Sequence, residues 1–155
     1  VKGPAVALPV LAPVRRPFRL TAPVVAETNL HEAVALALDQ LLLLPAQWTT
    51  FPAGSVPLPP QFAAKLQRLG LKRGWPDVLV VHHHLYGIEL KRRGGHLSKT
   101  RLVRTKRGSL RLLDGQTEVF PRLLAAGFGG IAVCETVEAV LEALAAWGVP
   151  LRRRS

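Results

Sequence analysis

Apolar residues recur at three- and four-residue intervals from Leu30 through Val34, Leu38, Leu41 and Leu42, which predicts a helix that begins at Asn29 and stops at Pro45. Asn29 and Glu32 have the spacing of a capping box at its start. Residues 47–51 read as a strand, broken by Pro52-Ala53-Gly54-Ser55. Residues 61–69 read as a short amphipathic helix with Pro59-Pro60 at its first turn and Gly70 at its end. β-Branched and apolar residues fill 78–81 and alternate with polar or small ones over 85–91, so both score as strands, joined into a hairpin by His82, His83 and His84. Leu102, Val103, Leu110 and Leu112 interleave with basic residues around Arg107-Gly108-Ser109, the pattern of a second, protruding hairpin. Asp114 then caps a helix with Gln116 in its first turn and Val119, Leu123 and Leu124 on its core side, while Pro121 predicts a kink or a two-piece helix. Residues 127–130 turn the chain into a strand over 131–134. Thr136 caps a last helix through Trp147, with Val137, Val140, Leu141 and Leu144 as its buried face. The resulting order predicts an α/β sandwich whose mixed sheet of about four or five strands is flanked by helices.

Composition adjusts this picture at both ends and in the middle. A chain of 155 residues with 48% apolar content suits one domain with a real core, not a disordered segment. Residues 1–26 stand apart, because Pro4, Pro9, Pro13, Pro17 and Pro23 prevent a helix and predict an extended arm, apolar enough to pack across the domain or a second subunit. Residues 152–155 form a basic tail. Lys and Arg number 21 against 10 Asp and Glu, and the net charge of +11 calls for a polyanionic partner, nucleic acid or an anionic membrane surface. The positive charge is clustered at Arg92, Arg93, Lys99, Arg101, Arg104, Lys106, Arg107 and Arg111, which favours nucleic acid. The single cysteine, Cys134, makes no internal disulfide, and its apolar neighbours mark it as a buried strand thiol. No apolar run is long enough to cross a bilayer and the start lacks the regions of a signal peptide, so a cytoplasmic protein is expected.

Candidate chemistry gathers on the histidine-linked hairpin. With the turn at residues 83–84, Asp77 sits across from Glu89 and Lys91, and the side chains at 87, 89 and 91 share one face by the two-residue period. Ile88 and Leu90 point the other way, into apolar packing, so the charged face is expected to line an uncovered cleft. Strand-edge solubilising charge is the plainer use of such a pair of carboxylates. The three histidines cannot all face one metal from a tight turn, and no Cys or His at ligand spacing joins them, which leaves them as turn residues. Trp48, Trp75 and Trp147 suit core or edge packing, with Trp75 of interest because it precedes Asp77.

Pro76-Asp77, an interval of about a dozen residues, and then Glu89-Leu90-Lys91 is similar to the signature of the PD-(D/E)XK nuclease superfamily. The order Gly70-Leu71-Lys72-Arg73-Gly74, Pro76-Asp77, Tyr86-Gly87-Ile88-Glu89-Leu90-Lys91, Gly95-His96-Leu97-Ser98 and Gln116 resembles, within it, the virus-type replication-repair nuclease group, VRR-NUC, over about residues 28–151. The resemblance implies a restriction-endonuclease-like core over residues 27–151, bacterial or phage-encoded, with the segment at about 99–113 as a basic hairpin insertion. It implies Mg²⁺ or Mn²⁺ held by Asp77, Glu89 and the Leu90 carbonyl, with Lys91 orienting or deprotonating the attacking water and Gln116 bonded to the lysine or the water. His31 or Glu32 of the first helix would hold a metal-bound water. Ser55 would lie in a loop facing substrate, and the basic cluster from Arg92 to Arg111 would contact DNA. The implied activity is a divalent-metal-dependent endodeoxyribonuclease, structure-selective for branched DNA and acting as a homodimer because two cuts need two sites. A catalytically silent DNA-binding module of the same fold is the alternative, and a single-cut nuclease subunit that borrows its specificity is a third.

Overall fold

The computed structural model describes residues 27–51 and 58–153, so the proline-rich arm, the loop that holds Ser55 and the last two residues of the basic tail lie outside the described residues. Four strands form one sheet in the order β1 (Gln47–Thr50), β2 (Val78–His82), β3 (His84–Leu90) and β6 (Phe128–Cys134). The first three pair antiparallel and β6 runs parallel to β3, which makes the sheet mixed as the pattern predicts. The crossover from β3 to β6 carries a separate two-stranded ribbon, β4 (Arg101–Arg104) and β5 (Leu110–Leu113), and then helix α3 (Gln116–Ala125). Helix α1 (Glu27–Leu41) precedes the sheet, α2 (Pro60–Arg68) links β1 to β2, and α4 (Val137–Ala146) follows β6.

One face of the sheet makes the core. Val78, Val80, Tyr86, Ile88, Leu90 and Cys134 pack against Leu30, Val34 and Leu38 of α1 and Val140 and Leu144 of α4. The heptad-like apolar stripe of α1 and the buried face of α4 therefore meet the same strands, and each fully buried aliphatic side chain contributes about 1.5–3 kcal/mol. The chain end is tied back to α1: Arg152 N–H donates to the Leu41 carbonyl at 2.7 Å, and Leu43 N–H to the Pro150 carbonyl at 3.0 Å. Burial, and next the charge of Glu142, push the Cys134 thiol up to about 12, which keeps it protonated and inert. No helix among the described residues is long and apolar enough to cross a membrane.

Several elements depart from the pattern for local reasons. Helix α1 begins at Glu27, so Asn29 lies inside its first turn, where a residue with helical backbone cannot be the N-cap that a capping box with Glu32 requires. Strand β6 starts at Phe128, three residues early. Its glycines are not a turn; a Cβ on Gly129 would stand 2.6 Å from the Tyr86 ring and one on Gly130 2.7 Å from Trp147, so they admit two stacked rings, whose centroids are 4.8 Å apart. Pro121 does not divide α3. Pro121 and Thr117, whose carbonyl loses a helical bond to the proline, both lie on the exposed side where solvent satisfies it. Asp114 does not cap α3 either; its Oδ2 lies 3.4 Å from Arg122, and the N-cap is Gly115.

Gly115 is where the ribbon's root meets the helix. A Cβ there would stand 2.3 Å from the Lys99 carbonyl carbon and 2.5 Å from the Ser98 carbonyl oxygen, both backbone atoms. Gly115→Ala is expected to cost about 1–3 kcal/mol of stability by overpacking, read as a lower urea midpoint with an unchanged slope. An unchanged midpoint would show that the 98–100 segment is not held against α3.

Candidate active site

β2 and β3 pair in a register centred on His83, with Val78 opposite Ile88 and His82 opposite His84. His83 alone makes the turn, at φ 58, in the left-handed region that His tolerates better than a β-branched residue. One step beyond β2 the same register puts Asp77 across from Glu89, the juxtaposition the two-residue period predicts. Asp77 Oδ2 accepts the Leu90 N–H at 2.8 Å, and the Asp77 carbonyl accepts the Phe51 N–H at 2.7 Å. Pro76 is buried against Gly87, where a Cβ would stand 2.5 Å from the proline Cγ, so the missing side chain lets the Pro76-Asp77 pair sit close to the sheet.

Glu89 projects from the face of β3 opposite Ile88 and Leu90. Its Oε1 lies 2.6 Å from Lys91 Nζ and also accepts from Gln116 Nε2. Its Oε2 is buried with no hydrogen-bond partner. The uncovered cleft expected from the strand pattern is therefore corrected: Glu89 is 1% exposed and Asp77 is buried with it, because α3 brings Gln116 onto the same carboxylate. Burial, and next the Asp77 charge, push the Glu89 carboxyl from 4.5 up to about 6, against the hydrogen bonds and charge of Lys91 and Gln116.

Gln116 is aimed by Ser98. The Gln116 Oε1 accepts the Ser98 N–H at 3.1 Å, which turns the amide nitrogen toward Glu89, and Ser98 Oγ accepts the Gln116 N–H at 3.1 Å at the helix start. Thr100 Oγ1 accepts the Gly115 N–H at 2.9 Å beside it. Ser98 thus fills the capping role that the sequence assigns to Asp114. Its position eighteen residues away from Gln116 hides that role from any local pattern.

Of the two first-helix candidates, His31 is linked through Thr50 to the main chain of Asp77. His31 Nε2 is 3.0 Å from Thr50 Oγ1, which donates to the Asp77 carbonyl at 3.1 Å. Glu32 is exposed and its side chain makes no hydrogen bond or ion pair among the described residues. The apolar stripe carried this signal: at roughly 100° per residue His31 flanks the direction of Leu38, and Glu32 lies on the far side from Leu30 and Val34. Thr50 itself had no signal, being one of two threonines on a short exposed strand.

Arg92 and Arg93 are exposed just past Glu89-Leu90-Lys91, and Lys99, Arg101, Arg104, Lys106, Arg107 and Arg111 are exposed along the ribbon. Among the described residues none of these eight meets a carboxylate within 4.0 Å. Arg104 donates to the Gly108 carbonyl at 3.2 Å and so stiffens the ribbon tip. Trp75 stacks on Phe51 at 5.2 Å and meets Phe128 edge-on at 5.9 Å, which makes it a packing residue. Among the described residues no group of three or more His, Cys, Asp or Glu is placed to hold a metal ion, the histidine turn included.

The raised Glu89 carboxyl has a signed consequence for stability. A carboxyl whose folded value lies above its unfolded one favours the native state when protonated, so its contribution is full below 4.5 and is lost as the pH rises through about 6. In chelator-treated protein the wild type is expected to lose about 2 kcal/mol relative to Glu89→Gln as the pH rises from about 3.5 to about 7. Parallel pH profiles of urea unfolding for the two proteins would contradict the burial of an unsatisfied Glu89.

No family model, no curated protein and no solved structure matches the chain.

Proposed function

We propose that the chain is a divalent-metal-dependent endodeoxyribonuclease that hydrolyses phosphodiester bonds in branched DNA, on a restriction-endonuclease-like core of the PD-(D/E)XK type close to VRR-NUC. The observation that carries the proposal is Glu89, whose buried Oε2 has no partner while Oε1 takes both Lys91 and Gln116. A bare carboxylate oxygen beside a second carboxylate is the environment that a hard cation satisfies. Asp77 and Glu89 offer oxygen donors suited to Mg²⁺ or Mn²⁺, and Leu90, already tied to Asp77 through its N–H, would add its carbonyl. Bound there, such a cation supplies charge neutralisation at the phosphate and a lowered pKa for a bound water.

The chain's own residues take the remaining roles. Lys91 Nζ stands at Glu89 and would orient an attacking water and offset phosphate charge as it does so. Gln116, aimed by Ser98, keeps Glu89 Oε1 occupied, which would leave Oε2 as the donor to a bound cation. His31 supports the Asp77 side through Thr50. The exposed cations from Arg92 to Arg111 would bind phosphates along the substrate, and a homodimer would place two such sites for paired cuts.

A catalytically silent DNA-binding module is favoured by one observation, the absence among the described residues of a third acidic or histidine ligand beside Asp77 and Glu89. Two measurements separate the proposals. Lys91→Ala is expected to reduce cleavage by at least roughly 100-fold, the scale of a lost general base, while DNA affinity stays within about threefold. Mg²⁺ at about 100 times its Kd is expected to stabilise the wild type by about 2.7 kcal/mol and Glu89→Gln by much less, read as a shift in thermal midpoint. Full cleavage by Lys91→Ala, or no metal-induced shift, would contradict the nuclease proposal.

A further inference from the structure

The β4–β5 ribbon carries an apolar face that its role as a basic ribbon leaves unused. Its register pairs Leu102 with Leu112 and Arg104 with Leu110, so alternation puts those four side chains on one face and Arg101, Val103, Arg111 and Leu113 on the other. Val103 and Leu113 are half-buried, which identifies their face as the one toward the body of the protein. Leu102, Leu110 and Leu112 are 65%, 66% and 56% exposed. Three leucines thus stand together on a short ribbon, outside any core.

The charge around them decides what fits. Residues 92–113 contain eight Lys or Arg and no Asp or Glu. A second copy of this face would bring cation against cation, and a neutral protein surface would leave the cations without complement. DNA supplies both halves, phosphates along the edges and apolar base faces between them wherever a base step is opened. A two-stranded ribbon has the width to enter a groove, and leucine is among the side chains that wedge between base steps. The root of the ribbon is fixed to the candidate active site, because Ser98 and Thr100 hold Gln116 and Gly115, and Gln116 holds Glu89.

We infer that the Leu102, Leu110 and Leu112 face of the ribbon is a base-contacting wedge that selects DNA already unstacked at a branch point, with Arg104 on the same face and Lys106 and Arg107 at the ribbon tip gripping the flanking phosphates. Opening a step is cheapest where stacking is already interrupted, so the leucines favour a branch and the cations bind any DNA. The inference rests on the nuclease proposal for the placement of the wedge beside a scissile strand, but its test reads binding alone.

The test uses the full chain in EDTA with a four-way junction and the matched duplex, each carrying 2-aminopurine beside the branch position. The wild type is expected to raise junction fluorescence and to prefer junction over duplex by about tenfold, the size of one average base-pair stacking step. Leu102→Ser with Leu112→Ser is expected to lose the fluorescence rise and to bring the preference within about twofold, with an unchanged salt slope. Lys106→Ala with Arg107→Ala is expected to weaken both substrates alike and to reduce the salt slope by about 2. Both leucines are exposed, so an unchanged thermal midpoint checks the fold of the first variant. Unchanged preference and fluorescence in the leucine variant would overturn the inference. It would also be overturned if that variant instead lost self-association by sedimentation, or binding to phosphatidylserine vesicles, while junction distortion persisted. A wild type that distorts the junction but never cuts it in Mg²⁺ keeps the wedge and removes the nuclease, whereas cutting with an indifferent leucine variant does the reverse.

Discussion

A carboxylate that is 1% exposed and has one oxygen without a partner costs free energy in any fold, and the neighbourhood of Glu89 is arranged around that cost. Lys91 and Gln116 both meet Oε1 and offset only part of the burial cost, Oε2 has no hydrogen bond of its own, and Asp77 adds like charge. Lys91 supplies a countercharge at one oxygen and the other is left without a hydrogen bond, and the proposed metal site rests on this asymmetry within one carboxylate. Tight-turn geometry makes it possible. A one-residue link at His83 fixes the register that sets Asp77 against Glu89, and the Leu90 N–H locks the aspartate in place.

The second constraint is the clasp at Ser98, Thr100, Gly115 and Gln116. Four hydrogen bonds join the root of the ribbon to the first turn of α3, and the absent Cβ of Gly115 lets the two backbones touch. The ribbon, the helix and the carboxylate therefore form one connected unit. The hydrogen bonds of Ser98 and Gln116 connect the root of the ribbon to Glu89 without passing through the core that α1 and α4 build on the opposite face of the sheet.

Much of this was legible in the sequence, and the limits are physical. The Asp77, Glu89, Lys91 convergence followed from period-two alternation and a short turn, both local properties, and so did the ribbon and the Thr136 cap, whose Oγ1 accepts the Ala139 N–H at 3.1 Å. The burial of Glu89 was not legible, because what covers it arrives from Gln116, twenty-seven residues on. Asp114 looked like a cap by residue type, but a residue far along the chain supplied the bond instead. Gly129 and Gly130 looked like a turn because their contacts, Tyr86 and Trp147, are non-local. The choice between His31 and Glu32 was within reach of helical geometry, since the apolar stripe already orients both.

The most direct measurement is cleavage of a labelled four-way junction, a flap and the matched duplex in Mg²⁺, Mn²⁺ or EDTA, with Glu89→Ala alongside. Metal-dependent cutting of branched DNA by the wild type, abolished by EDTA and by Glu89→Ala, is the result the buried, half-satisfied carboxylate predicts. Binding of all three substrates without cutting in any metal would contradict it and leave a DNA-binding module in its place.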